Sequence, residues 1–171
     1  LKSRGLQDSE IMAGFKSFPG LAHRQERIAE LDGVLFVNDS KATNAEATSQ
    51  ALECYKDSTI YWLVGGRPKE GGIQNLEAYF PKIEQAFLFG ESSQSFALTL
   101  EGVTPFSECG DLSTALKKAF VCAKEDKKNA PVVLLSPACA SFDQFRDFEA
   151  RGDDFRQWVY ELIEREKAKV A

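Results

Sequence analysis

The sequence predicts an α/β fold of the Rossmann-like kind, with a mostly parallel sheet flanked by helices on both faces and an antiparallel hairpin at the start. Short apolar runs such as 59–64, 86–89 and 131–135 alternate with amphipathic stretches. Unbroken apolar strands are typical of parallel sheets that are covered on both faces. The runs 27–31 and 34–37 flank Asp32-Gly33, a dipeptide that favours a type I′ hairpin turn because both of its residues need positive φ.

Apolar periodicity and capping residues predict the remaining elements in order. Asp111 is expected to cap the helix before the last strand, and Arg151-Gly152 is interpreted as a turn before the final helix. A short helix is predicted within 1–17, with Asp8-Ser9-Glu10 at its start. The other predicted helices are 45–55, 76–80, 92–100, 111–125 and 153–168, and a brief strand is predicted near 104–106.

Polar loops follow the predicted strands at 38–44, 65–72, 90–92 and 136–148. In a doubly wound sheet, ligands bind in the loops beyond the carboxyl ends of the strands. The first of these loops places an anion, a cation and hydroxyl groups just before a helix, a position that suits a carboxylate or phosphate. Helix capping by Thr43 or Asn44 explains part of the same pattern without a ligand.

The second and fourth loops also contain candidate ligand groups. After Gly65-Gly66, Lys69 could pair with a carboxylate, although a solvated turn is an alternative. In the fourth loop, Ser136 and Ser141 can donate hydrogen bonds to an anion. The three phenylalanines Phe142, Phe145 and Phe148 could form an apolar wall or belong to the core.

Composition excludes several classes of function. The net charge of −5 argues against nucleic-acid binding, and no apolar run approaches the roughly 20 residues that membrane insertion needs. The four cysteines lie far apart and His23 is the only histidine, so a metal site is not expected. Cys139 lacks a neighbouring base, and we expect reduced, mostly buried thiols in a cytoplasmic protein. Because the chain does not begin with Met, we expect it to be a fragment.

Several strings taken together resemble the Mur ligase family, in the family's order and over nearly the whole chain. They are Phe18–Arg24, Asn38–Asn44, Gly65-Gly66 with Lys69, Gly90-Glu91, Ser136–Ser141, Asp143–Phe145 and Arg151-Gly152. The string Asp39–Asn44 resembles the members that add D-glutamate. Ala22 departs from the family pattern, which usually has Pro at this position.

The resemblance implies an enzyme of three domains, for the UDP-sugar, for ATP and for the incoming amino acid. Residues 1–17 would be the tail of the central ATPase domain and linker, and 18–171 the C-terminal, amino-acid-binding domain. ATP would activate the carboxylate of UDP-N-acetylmuramoyl-L-alanine as an acyl phosphate, which D-glutamate then attacks. ATP and Mg²⁺ are implied for the full-length enzyme, and neither is expected to bind this domain alone. Because the chain contains no G-x-x-x-x-G-K-[ST] loop, we expect it to be inactive in isolation.

The resemblance also implies roles for individual residues. The positions for D-glutamate are Thr43, Lys69, Ser141, Phe142 and Phe148, and those for the nucleotide are Arg24, Asp39 and Lys41. Lys41 is also the catalytic candidate, because its cation would offset acyl-phosphate charge. Phe18–Arg24 would act as the hinge for domain closure. Two alternatives remain: a related amide ligase with another amino acid, and a stand-alone α/β module that binds a small acid or a nucleotide.

Overall fold

The chain forms one mixed sheet in a computed structural model that describes residues 4–17, 20–126 and 130–170. Its six strands have the order β1-β2-β6-β3-β4-β5. They span β1 Glu26–Leu31, β2 Val34–Asn38, β3 Thr59–Gly65, β4 Ile83–Phe89, β5 Phe106–Gly110 and β6 Pro131–Leu135. β1 pairs antiparallel with β2, and the other neighbours pair in parallel. The predicted fold class is confirmed.

Helices cover both faces of this sheet. These covering helices are α2 Ala45–Cys54, a 3-10 helix Gln74–Lys82, α3 Ser93–Leu100, α4 Leu112–Glu125 and α5 Phe148–Val170, and a further helix, α1 Asp8–Ser17, precedes the sheet in the chain. Along β3, Ile60 and Trp62 pack in one core cluster with α2, the 3-10 helix and α3, whereas Tyr61 and Leu63 pack in the other with α4 and α5. This alternation is why β3 carries an uninterrupted apolar run. In the described part of the chain, no helix has the length and apolarity needed to cross a bilayer.

The hairpin has the predicted turn. Asp32 and Gly33 have φ values of 52° and 81°, so both adopt the left-handed conformation. Lys124 of α4 bridges Asp32 at 2.7 Å and Glu166 of α5 at 2.9 Å. This surface ion-pair network connects the turn of the hairpin to α4 and α5.

The predicted start of β5 was wrong. β5 begins at Phe106 rather than near Thr104, whose buried hydroxyl instead donates to the carbonyl of Phe80 at 3.1 Å. β5 is an edge strand with a polar pattern, and such a strand lacks the continuous apolar run used to locate the others.

The expectation of mostly buried thiols was also wrong, because Cys139 is buried but Cys54 is exposed and the other two cysteines are half-buried.

Helix α5 begins at Phe148, five residues before the predicted start at Asp153. The carboxylate of Asp147 accepts a hydrogen bond from the backbone N–H of Ala150 at 2.7 Å, which is the geometry of a helix N-cap. The interpretation of Arg151-Gly152 as a turn was therefore wrong, since Gly152 lies within the first turns of the helix. A Cβ atom there would lie 2.1 Å from Nδ1 of His23, so close packing explains this glycine.

Candidate functional site

Backbone hydrogen bonds join the polar loops at the carboxyl edge of the sheet. Arg67 and Ala140 exchange two of them, with N···O distances of 2.9 and 3.1 Å. The N–H of Ser92 donates to the carbonyl of Gly66 at 3.0 Å. At Gly66 (φ 128°) a Cβ would lie 2.4 Å from the carbonyl oxygen of Ala140, so only glycine permits this approach. The loops after β3, β4 and β6 therefore form one surface.

A buried arginine holds the loop after β2 to the loop after β6. Arg151 has 0% relative exposure. It donates from Nε to Oγ of Ser40 at 2.9 Å, from Nη2 to the carbonyl of Ser40 at 2.8 Å, and from Nη1 to the carbonyl of Cys139 at 3.1 Å. Burial lowers the pKa of Arg151 to about 10, so the guanidinium stays charged at neutral pH. Sequence reasoning missed this role, although the residue belonged to the strings that carried the family resemblance.

The turn before β1 brings Arg24 to the loop after β2. The carbonyl of His23 accepts from the N–H of Lys41 at 3.0 Å, and the N–H of Gln25 donates to Oδ1 of Asp39 at 3.2 Å. Arg24 lies between these two anchored residues, and its side chain is exposed. Phe18 and Pro19 of the predicted hinge lie outside the described residues.

The three predicted nucleotide-site residues meet in one cavity of about 450 Å³. Its lining residues are Arg24, Gln25, Asp39, Lys41, Ala42, Ala47 and Gln50. Two cations therefore face one carboxylate at the start of α2, where free N–H groups also favour an anion. A more open depression of about 700 Å³ lies along α5 from Asp153 to Arg165. Its lining residues all belong to that one helix, so we assign the site to the smaller cavity.

Burial disfavours the ionised form of the carboxylate in this cavity. Asp39 is 6% exposed, and burial raises its pKa to about 6. A hydrogen bond of 2.8 Å from Oγ of Ser136 offsets part of the burial effect, as do the N–H of Gln25 and the charge of Arg24. An ionised carboxylate with little solvent contact is a strong acceptor for a ligand hydroxyl.

Lys41 and Phe148 lie together. The Lys41 ammonium is 4.1 Å from the centre of the Phe148 ring, a cation–π contact that orients the lysine side chain. The ring also packs edge-on to His23, with centroids 6.2 Å apart. A predicted glutamate-site residue therefore touches a predicted nucleotide-site residue.

None of the predicted glutamate-site residues is among the residues that line the cavity. Thr43 is half-buried, Lys69 is exposed and Ser141 is 2% exposed, and none of them lines it. Asn44, not Thr43, caps α2 by accepting from the N–H of Ala47 at 2.8 Å, so the Thr43 hydroxyl is not used as the helix cap. The proposed roles of all three residues stay predictions.

The proposed aromatic wall has at most two members. Phe142 is 63% exposed beside the buried Ser141, and Phe148 lies against Lys41. Phe145, in contrast, packs on the core cluster behind the sheet, where its ring centre is 6.4 Å from that of Trp158. For Phe145, the alternative of a core residue therefore holds.

Neither thiol chemistry nor a dedicated metal centre fits this site. Burial raises the pKa of Cys139 to about 11, and its Sγ lies 3.7 Å from Oγ of Ser92, so the thiol stays protonated and serves packing. No cluster of three His, Cys, Asp or Glu side chains occurs within residues 4–17, 20–126 and 130–170. Among the residues that line the cavity, Asp39 is the single carboxylate, so phosphate oxygens, water or residues from elsewhere would have to supply the other ligands of a Mg²⁺ ion.

The fold and the site define a class: a Rossmann-like domain with a cationic, loop-built site at the carboxyl edge of its sheet. The model of the family "Mur ligase, glutamate ligase domain" matches residues 23–139. A UDP-N-acetylmuramoylalanine–D-glutamate ligase of Brucella abortus is 56% identical over 160 residues, which cover 94% of this chain and 34% of the relative. The enzyme of the same name from Rhodospirillum rubrum is 51% identical over 161 residues, covering 94% and 33%. The chain belongs to the Mur ligase family.

The chain thus spans about a third of the length of these curated relatives. Two crystal structures share its fold at low identity. The folylpolyglutamate synthase/dihydrofolate synthase of Yersinia pestis aligns with a TM-score of 0.55 at 17% identity, covering 88% of this chain and 34% of that one. A murein peptide ligase of Psychrobacter arcticus aligns with a TM-score of 0.51 at 15% identity, covering 74% and 29%.

Proposed function

We propose that this chain is the D-glutamate-binding domain of a ligase that joins D-glutamate to UDP-N-acetylmuramoyl-L-alanine, and that it closes over ATP from one side. The observation that carries the proposal is the cavity in which Arg24, Asp39 and Lys41 meet. The names of relatives with more than half of their aligned residues identical support the substrate assignment.

The proposed reaction has two steps. A carboxylate oxygen of UDP-N-acetylmuramoyl-L-alanine attacks the γ-phosphorus of ATP, and ADP leaves. The amine of D-glutamate then attacks the acyl carbon, phosphate leaves, and the nitrogen loses a proton as the amide forms. Arg24 and Lys41 would offset the charge on the phosphate oxygens, and Asp39 would accept a hydrogen bond from a ribose hydroxyl. Residues elsewhere in the full-length enzyme would supply the Mg²⁺ ligands.

D-Glutamate would bind where the loops after β2, β3 and β6 adjoin. Lys69 would pair with a carboxylate, and the hydroxyls of Thr43 and Ser141 would donate to its oxygens. Phe142 and Phe148 would contact the aliphatic part of the amino acid. The support for this arrangement is that Arg151 and the Arg67–Ala140 pairing fix the spacing of the three loops.

A steady-state assay of the full-length protein tests this proposal. Phosphate release and product mass are measured with ATP, UDP-N-acetylmuramoyl-L-alanine and D-glutamate, and then with other amino acids. We expect Lys69→Met to raise the KM for D-glutamate roughly tenfold to a hundredfold, the range for losing a charged hydrogen bond. Lys41→Met should lower kcat. Lys56→Met, which removes an exposed ammonium paired with Glu53 at the end of α2, is the matched control.

Two results would contradict the proposal. A faster reaction with another amino acid would assign the chain to a related amide ligase. Micromolar binding of ATP or D-glutamate to the isolated chain, measured by calorimetry, would favour a stand-alone binding module. We expect the isolated chain to show no turnover.

A further inference from the structure

We propose that Glu26 and Arg156 are positioning residues for Arg24, acting through the backbone of His23. This inference rests on the proposed function of Arg24 at the nucleotide. An ion pair between the first strand and the last helix fixes the turn from which Arg24 projects. Neither Glu26 nor Arg156 lines the cavity, so they act at a distance.

The ion pair joins two residues that are 130 positions apart in the sequence, one in β1 and one in α5. Nε and Nη2 of Arg156 both donate to Oε1 of Glu26, at 3.0 and 2.9 Å, and Nη2 also lies 2.9 Å from Oε2. Their side chains are 25% and 24% exposed, so solvent screens the pair only in part. Burial alone would raise the pKa of Glu26, but the hydrogen bond from Arg156 and the N–H of His23 outweigh it and lower that pKa. The carboxylate is therefore charged at neutral pH.

The second oxygen of this carboxylate accepts from the turn. The N–H of His23 donates to Oε2 of Glu26 at 2.9 Å, and Nδ2 of Asn38 donates to the same oxygen at 3.2 Å. Asn38 also contacts Nδ1 of the His23 ring at 3.1 Å and donates to the carbonyl of Gly152 at 3.0 Å. Glu26 is thus the point at which β1, β2, α5 and the turn are joined.

The turn needs such an anchor because its backbone is unfavourable. His23 and Gln25, the two neighbours of Arg24, have φ values of 61° and 46°, in a region that non-glycine residues rarely adopt. Such residues persist only where surrounding contacts fix them. Without its acceptor, the His23 N–H would lose a charge-assisted hydrogen bond, and the residue could relax to negative φ. Arg24 would then leave its place beside Asp39 and Lys41.

The test compares kinetic constants of the full-length enzyme. Glu26→Met removes the acceptor, and Arg156→Met removes the partner that orients it. We expect both to raise the KM for ATP, Glu26→Met by roughly tenfold, the lower end of what a hydrogen bond to a charged acceptor contributes. The KM for D-glutamate should stay unchanged. Arg156→Lys keeps a cation beside Glu26 and should restore most of the ATP affinity.

Lys124→Met is the matched control. It removes another ion-pair network between the hairpin and the helices, but at the opposite end of β1 from Arg24. We expect it to lower the melting temperature about as much as Arg156→Met while leaving the KM for ATP unchanged. Equal KM values for ATP in all four variants and the wild type would overturn the positioning role. An inactive wild-type enzyme would instead count against the proposed function itself.

Discussion

Replacing Asp39 by Asn should stabilise the fold at neutral pH while it damages nucleotide binding. Asp39 is buried with its pKa raised to about 6, above the ordinary value of 3.8. The unfolded chain therefore releases this proton more readily than the folded protein does. Stability linked to Asp39 is full below pH 3.8 and decreases as the pH rises from 3.8 to 6, because ionisation favours the unfolded state.

The magnitude follows from the two pKa values. For the wild type, the linkage relation gives a decrease in the free energy of unfolding of about 3 kcal/mol at pH 8 and about 0.1 kcal/mol at pH 3. An Asn at this position avoids the loss and keeps the hydrogen bonds. Its Oδ1 can still accept from the N–H of Gln25, and its Nδ2 can donate to Oγ of Ser136. The Ser136 hydroxyl can then turn to Oγ1 of Thr48, which is 3.1 Å away.

Equilibrium urea unfolding of wild type and Asp39→Asn at pH 3, 5 and 8 measures this effect. We expect the variant's advantage in free energy of unfolding to grow with pH and to reach about 3 kcal/mol at pH 8, as an upper limit. Its affinity for ATP in the full-length enzyme should fall. If the difference in free energy of unfolding between variant and wild type were the same at pH 3 and pH 8, the reasoning would be refuted. Such a result would mean that the pKa of Asp39 does not differ between the folded and unfolded states.

Two further predictions compare matched positions. Gly152→Ala should destabilise the fold by about 1–3 kcal/mol, because the new Cβ would collide with the His23 ring. Gly14→Ala in α1 has open space around its Cβ and should stabilise the fold by about 0.5–1 kcal/mol. Thermal unfolding measures both changes, and equal shifts in melting temperature would contradict the packing argument. Asn44→Ala removes the cap of α2 and should lower the free energy of unfolding by about 1 kcal/mol. Thr43→Ala should leave the melting temperature unchanged and raise the KM for D-glutamate. A loss of stability in Thr43→Ala would contradict the assignment of Thr43 to the ligand.

The sheet could be predicted from the sequence because its signals are local. The runs that became β3 and β6 are continuously apolar, and the Asp32-Gly33 turn sets the hairpin register as far as Ala29, where a bulge shifts it. β5 was misplaced because an edge strand with a polar pattern lacks an apolar run, and the start of α5 was misplaced because the local cap at Asp147 was passed over in favour of Gly152. The glycine at 152 was interpreted as a turn residue, but the His23 ring, which is far away in sequence, is what requires it.

The candidate site was predictable in part. The rule that ligands bind beyond the carboxyl ends of the strands pointed to loops that the structure brings together, and Arg24, Asp39 and Lys41 line one cavity there, although their roles stay predictions. Arg151 could not be found in this way, because an arginine after a polar loop is usually solvated. Its burial shows only when the loops after β2 and β6 are placed on either side of it.

The division between buried and exposed polar groups indicates how this site would bind a ligand. Four polar residues, Asp39, Ser40, Ser136 and Arg151, are buried. Each forms hydrogen bonds with another loop or element, which offsets the cost of burying it. The backbone of the loops is therefore in place before a ligand arrives. The side chains of Arg24, Lys69 and Phe142 are exposed, and ordering them on binding costs about 0.5–1.5 kcal/mol each. Contacts from a second domain would offset that cost, which is the physical reason to expect weak affinity in the isolated chain.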